Sequence, residues 1–254
     1  MYVDMIILKM PKIVDINYFK DGKIENKKFW QRLSLKPDFK NKTILDFGCG
    51  HGSLAIEIAN LGAQKVIGVD LNDNLINFAK ENLDKNFPAL KNKVEFEVVD
   101  LLKTDKFKDI DYIVTKDTFE HSSNLDKILQ KFHQILKKDG MVLAGFGPLY
   151  NFYNGDHGRT EVYLPWFHII IPEKILINRL NKKYKKNLRK IEDLGLSKYS
   201  LRDYVRIFEE SNFEITYFKT NFSEHPLAFI FNILSKVKIF EEYCTYNIYS
   251  ILKK

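Results

Sequence analysis

Three glycines at alternate positions set the first chemical constraint. The stretch Asp46-Phe47-Gly48-Cys49-Gly50-His51-Gly52 follows an apolar run, Thr43 to Phe47. It precedes residues 53–60, whose apolar members Leu54, Ala55, Ile58 and Ala59 recur at helical spacing. Glycine lets a backbone turn tightly and approach a ligand closely. In open parallel sheets, ligands sit beyond the carboxyl ends of the strands. Asp70 ends a second apolar run, 20 residues after Gly50 (70 − 50), where a carboxylate can accept ribose hydroxyls. The chemistry is therefore the binding of a nucleoside-bearing ligand. A dinucleotide fingerprint needs G-x-G-x-x-G, but Ser53 stands where that spacing demands the third glycine. A Walker phosphate loop is excluded, because no Gly-Lys-Ser or Gly-Lys-Thr follows.

A second group lies about a hundred residues on. Gly147 to Arg159 is a loop by its Gly, Asn and Pro content, and it offers Tyr150, Tyr153, Asp156, His157 and Arg159 together. Pro165-Trp166-Phe167-His168 follows. A proton acceptor is expected among His157, His121 and Tyr150, in that order. Tyr153, Arg159, Trp166 and His168 are the expected substrate contacts, with Arg159 suited to a phosphate or carboxylate. The bland alternatives are a loop-stabilising role for His157 and a packed core histidine at 168. His121, His133, His157, His168 and His225 are scattered without metal-ligand spacing, and no metal is expected.

Positioning these groups requires alternating strands and helices. Strands are expected at 43–47, 65–70, 94–99, 111–115 and 141–146, with helices at 53–60, 72–82 and 124–136 between them. Such alternation implies βαβ units, right-handed crossovers and a doubly wound, mostly parallel sheet with helices on both faces. The rhythm breaks at Gly147-Pro148 and resumes with a helix at 201–210, a strand at 213–220 and a final strand at 243–252. The reading is an N-terminal helical lid segment at 1–40, a ligand-binding core at 41–147, a substrate-covering insertion after strand five at 148–199, and completion of the sheet at 200–254.

Several ordered motifs resemble the class I S-adenosylmethionine-dependent methyltransferases of the small-molecule type. They are Ile44 to Gly52, Val66 to Asp70, Val98-Val99-Asp100-Leu101, Tyr112 to His121, and Lys137 to Leu143. The resemblance covers roughly residues 40–147, with weaker agreement at 200–222. It implies a seven-stranded Rossmann-like sheet and S-adenosyl-L-methionine as cofactor, with S-adenosyl-L-homocysteine as product. It implies that the backbone of Gly48, Cys49, Gly50 and Gly52 passes under the methionine part. Asp46 would orient the loop or the amino group. Asp70, with Leu71 beside it, would hold the ribose. Asp100 would accept from the adenine amino group with Leu101 against the ring, and the backbone near Lys116 would face the methionine. The competing reading of Asp46 and Asp70 is that of helix-capping carboxylates. Cys49 reads as a small packing residue.

The resemblance leaves the acceptor open. A small polar metabolite is the favoured partner, a sugar, a nucleotide-linked or a phosphorylated compound, methylated on oxygen or nitrogen. The chain has 254 residues, a net charge of +7 and 45% hydrophobic residues, enough for one sizeable core and permissive of an anionic partner. A nucleic-acid methyltransferase would use the basic run 181–190. It is disfavoured, because Lys116-Asp117-Thr118-Phe119 stands where an Asn/Asp-Pro-Pro-aromatic signature belongs. A membrane-lipid enzyme could lay residues 165–189 on an anionic surface as a peripheral contact. An NAD-dependent oxidoreductase and a non-catalytic binding protein are the outside readings. Two cysteines, Cys49 and Cys244, suggest no disulfide framework, so a reducing cytoplasm is the expectation. The run Met1 to Met10 lacks a basic leader and a small-residue cleavage site, so a secretory signal is not expected. No feature sets an oligomeric state.

Overall fold

Ile44 and Leu45 are neighbours on one strand, and both are fully buried. Successive strand side chains point to opposite faces, so this sheet is covered on both sides, as parallel sheets are. The structure is a computed structural model that describes residues 12–222 and 228–254, with side chains from residue 15 onward. The expectations for Met1 to Met10 and His225 lie outside the described residues.

The chain opens with helix α1 (Lys12–Leu33) and then alternates. Strand β1 (Thr43–Phe47) leads to α2 (Ser53–Asn60), β2 (Lys65–Asp70) to α3 (Asp73–Asn86), and β3 (Val94–Val98) to β4 (Ile110–Lys116). Helix α4 (Leu125–Ile135) runs into β5 (Leu136–Phe146). Then come α5 (Phe167–Ile170), α6 (Glu173–Tyr184), α7 (Leu201–Glu209), β6 (Glu214–Thr220), α8 (Ala228–Leu234), α9 (Glu241–Cys244) and β7 (Ile248–Lys253). The seven strands lie in the order β3-β2-β1-β4-β5-β7-β6. The first five pair in parallel, and β7 runs antiparallel to both β5 and β6.

One face is filled by Leu45, Ile113, Phe119, Phe132, Tyr204 and Phe208 beneath α4 and α7. The other is filled by Ile44, Val66, Phe96, Phe29 and Trp30 beneath α1, α2 and α3. Residues 148–199 are more than a loop. They carry α5 and α6 and bury their own cluster, Tyr150, Leu176, Ile177, Leu180, Leu188 and Ile191 among them.

Three boundaries differ by more than one residue from the sequence reading. The second helix continues to Asn86 and starts behind Asn72, whose side chain caps Asn74 and Leu75. Strand β5 begins at Leu136, because Leu136 already registers with Ile110 on β4. The expected strand at 243–252 begins only at Ile248. Ahead of it, Asn221 accepts the Tyr246 N–H and donates to the Cys244 carbonyl. Those backbone groups are satisfied by a side chain and cannot join the ladder. Among the described residues, no helix is long and apolar enough to cross a membrane. The basic run closes α6, and Lys183 there pairs with Glu161 at 2.7 Å on the exposed surface.

Candidate ligand-binding and catalytic site

The glycine loop is held from below. Gly48 and Cys49 donate their N–H groups to the Val69 carbonyl, and Asp70 accepts from Gly50 at 3.0 Å and from Asn72 at 2.9 Å. Gly52 starts α2 with φ +79°, and a Cβ there would meet the Phe96 ring at 2.5 Å. Gly50 also has positive φ, but a Cβ there would meet nothing within 4 Å among the described residues. The loop is thus packed tightly at Gly52 and faces open space at Gly50.

Asp46 lies on β1 just ahead of this loop. Its carboxylate is almost fully buried, and Oδ2 has no hydrogen-bond partner among the described residues. Burial raises its pKa to about 7, against the pull of Lys116, and Asp70 pushes in the same direction as burial. A buried carboxylate oxygen without a donor matches a cationic group on a ligand. Asp100 caps a single turn at Leu101–Lys103, accepting from Leu102 N at 3.1 Å, and pairs with Lys103. Leu71 is 57% exposed, whereas Leu101 is buried in the core. Cys49 is buried too, and burial holds its thiol well above the ordinary value, which fits a packed residue.

Helix α1 closes over the loop through residues that the sequence reading did not single out. Gly22 lies so near Ser53 that a Cβ would meet Ser53 Oγ at 2.2 Å. Asn26 is fully buried, donates to Ser53 Oγ at 3.3 Å and accepts from Lys116 Nζ at 2.9 Å. Asp15 meets His51 Nε2 at 3.0 Å, and the Tyr18 ring lies 4.7 Å from that of His51. Asp15, Tyr18, Gly22 and Asn26 recur at intervals of three or four, so they share one helix face. That polar stripe was the available signal.

The expected catalytic and substrate residues divide into three groups. Tyr150 and His168 belong to the insertion's own packing. Their rings lie 5.2 Å apart, His168 Nε2 bonds the Tyr150 carbonyl at 2.7 Å, and burial raises the Tyr150 hydroxyl's pKa. Tyr153 stacks on Phe231 at 5.8 Å, and Trp166 donates to the Tyr243 carbonyl at 3.3 Å.

The third group is His121, His157 and Arg159. The two imidazole centroids lie 4.8 Å apart, which corrects the view that the histidines are all scattered. His121 Nδ1 bonds the Gly195 carbonyl at 2.9 Å, and His157 Nε2 bonds the Pro148 carbonyl at 3.1 Å. A carbonyl only accepts, so both nitrogens carry protons and the opposite ring nitrogens keep lone pairs. Burial lowers the His121 pKa to about 3 and lowers that of His157, with Arg159 adding to both. Arg159 Nη1 donates to the carbonyls of Leu194 and Gly195, both at 2.7 Å. Glu120, also missed in the sequence, sits beside the pair. It is 4% exposed, accepts from Gly147 N at 3.3 Å, and leaves Oε2 without a partner among the described residues. Burial, then the neighbouring Asp117 carboxylate, hold its pKa well above the ordinary range.

Comparison with known proteins supplies the frame. Residues 38–146 match the family model described as a methyltransferase domain. The chain is 30% identical over 195 residues to the ubiquinone biosynthesis O-methyltransferase of Pelagibacter ubique (strain HTCC1062), covering 72% of this chain and 76% of that one. It is 34% identical over 140 residues to phosphoethanolamine N-methyltransferase 3 of Arabidopsis thaliana, covering 54% of this chain and 27% of the relative. The match thus spans about a quarter of that plant protein's length. Among solved structures, an S-adenosylmethionine-dependent methyltransferase from Mesorhizobium loti has the same fold. Its TM-score is 0.56 at 16% identity, with 89% of this chain and 98% of that one covered.

Proposed function

The chain belongs to the S-adenosylmethionine-dependent methyltransferase family, and on that premise we propose that it methylates an oxygen or nitrogen of a small polar metabolite. The observation that carries the cofactor half is the Asp46 Oδ2 atom, buried without a donor among the described residues at the start of a loop that has room at Gly50. In this reading Asp46 receives the cofactor's ammonium group. Asp70 receives the ribose hydroxyls with its remaining lone pairs, and Asp100 and Leu71 border the adenine. Lys116 is tied to Asn26 and so links the cleft floor to α1.

When bound, the cofactor supplies an electrophilic methyl on a sulfonium, and the sulfur keeps the electron pair of the broken bond. The chain must align the acceptor within about 3–3.5 Å of that methyl and keep water out. A neutral hydroxyl must also lose a proton. His157 suits that proton transfer, being neutral at pH 7 with a lone pair kept on Nδ1. Helix α1 lies over the loop as a cover, and the insertion at 148–199 supplies the acceptor wall. Arg159 favours an acceptor carrying a phosphate or carboxylate, such as a phosphorylated or nucleotide-linked compound.

Two measurements test this reading. Calorimetry should show micromolar binding of S-adenosylmethionine and none of NAD. A screen of sugars, phosphorylated amines and hydroxylated acids, read by release of S-adenosylhomocysteine, should find turnover on an anionic metabolite. Turnover only on RNA or on lipid vesicles would replace the acceptor class and leave the cofactor reading standing.

A further inference from the structure

We propose that Glu120, His121 and His157 form a divalent-cation site. One candidate ligand atom from each of the three lies within 4.8 Å of the others. Tetrahedral coordination with bonds of about 2.1 Å needs ligand atoms about 3.4 Å apart, so closure takes shifts on the order of 1 Å.

Hydrogen bonding has already sorted the donors. His121 is fixed through Nδ1 to the Gly195 carbonyl, and His157 through Nε2 to the Pro148 carbonyl. Metal-binding histidines are oriented in this way, with the second ring nitrogen donating to a carbonyl and the first left basic. Glu120 Oε1 is anchored on the Gly147 N–H, and Oε2 is buried without a partner among the described residues. The Gly147-Pro148 dipeptide therefore holds Glu120 by its N–H and His157 by its carbonyl. The lone pairs left on the two imidazoles and on Glu120 find no donor among the described residues. Two nitrogens and one carboxylate suit a borderline ion such as Zn²⁺ or Co²⁺ and leave at least one position open.

Two charges act on the site from outside the ligand set. Asp117 adds negative potential at Glu120. Arg159 adds positive potential at both histidines, which weakens affinity for a cation. Its guanidinium is turned onto the carbonyls of Leu194 and Gly195 and so stays out of the ligand set. With an ion in place, the ion and Arg159 together would hold an anionic oxygen on the acceptor. That last step rests on the methyltransferase reading, whereas metal binding does not. An occupied site would also take the His157 Nδ1 lone pair, so His157 could not serve as the base at the same time.

The test is titration of the full chain, first stripped with a chelator, with Co²⁺ followed by visible absorption and then by Zn²⁺ displacement. One equivalent should bind and give the strong bands of low-coordinate Co²⁺. Glu120→Gln, His121→Gln and His157→Gln should each weaken binding by about 100-fold, a loss expected when one of three ligands is removed. Affinity for S-adenosylmethionine, measured on the same variants, reports whether each has folded. Absence of stoichiometric Co²⁺ and Zn²⁺ binding by the wild-type chain would overturn the proposal. So would binding that survives in any variant retaining S-adenosylmethionine affinity. Loss of cofactor binding by the wild-type chain, with metal binding intact, would instead sink the function proposed above.

Discussion

The Asp70 carboxylate reaches back across 20 residues to accept the backbone N–H of Gly50 at 3.0 Å. Its other oxygen accepts from Asn72 at 2.9 Å. One side chain therefore ends β2, shapes the glycine loop and still has lone pairs for a ligand. A hydrogen bond to a charged group contributes about 1.5–3 kcal/mol. Asp70→Ala should weaken S-adenosylmethionine binding about 10- to 100-fold and lower the melting temperature. Asp70→Asn should fall between the two. Unchanged affinity in calorimetry for the alanine variant would remove Asp70 from the cofactor site.

If Asp46 receives the cofactor's ammonium group, cofactor binding should depend on pH. Its pKa is raised from 3.8 in the unfolded chain to about 7 in the folded one. Between those values the folded state binds more protons, so this group's contribution to stability falls as pH rises from about 4 to 7. An ammonium group on the ligand favours the ionised carboxylate. Affinity for S-adenosylmethionine should therefore rise with pH through about 7 and then level off. Asp46→Asn should bind more weakly and lose this rise. A flat profile for the wild-type chain would contradict the pairing.

Gly52 is the tightest position of the loop. Gly52→Ala places a Cβ at positive φ, which costs about 1–2 kcal/mol, and drives it into Phe96, which adds about 1–3 kcal/mol. Denaturant unfolding should show a loss of about 2–5 kcal/mol, with cofactor affinity reduced as well. The same change at Gly50 meets no atom of the described residues within 4 Å. It should spare stability more than it spares binding.

Asn26 ties α1 to both the glycine-loop helix and the end of β4. Asn26→Leu keeps the branched shape but leaves the Lys116 ammonium without this acceptor, a cost of about 1–3 kcal/mol. Amide exchange in α1 should quicken while the strands stay protected. If α1 covers the cofactor, affinity should fall in parallel. Unaltered exchange in α1 would show that the helix is held by its apolar residues alone.

Replacing His157 with Ala should reduce turnover on the cognate acceptor about 10²- to 10⁴-fold, the range of a general base, with little change in cofactor affinity. Equal turnover would leave His157 as a loop-stabilising residue bonded to Pro148.

The core of the fold was legible because its signals are local. β1, β2, β4 and the glycine loop are short apolar runs bounded by their own turn residues, and each reads without reference to distant chain. A helical lid at 1–40 was expected too, but the contacts that fasten α1 over the loop were not legible. Asn26 meets Lys116 across 90 residues and Asp15 meets His51 across 36, and neither pair leaves a mark at its own position. The insertion likewise hid the pairing of His121 with His157, which exists only once Gly195 and Pro148 supply carbonyls to both rings. Tyr150, Tyr153, Trp166 and His168 gave the right residue types for a pocket. In the structure Tyr150 joins the α6 cluster, His168 bonds the Tyr150 carbonyl, Tyr153 stacks on Phe231 and Trp166 donates to the Tyr243 carbonyl.

The placement of β7 has a consequence for how the protein is made. This strand comes latest along the chain, yet it lies between β5 and β6. Until residues 248–253 have left the ribosome, β5 keeps an open edge from Met141 to Phe146, and β6 has nothing to pair with. The N-terminal five strands can assemble during synthesis. The sheet closes only afterwards, in one late step. A nascent chain stalled before residue 248 would expose that apolar edge and should be a strong client for chaperones that hold strand edges.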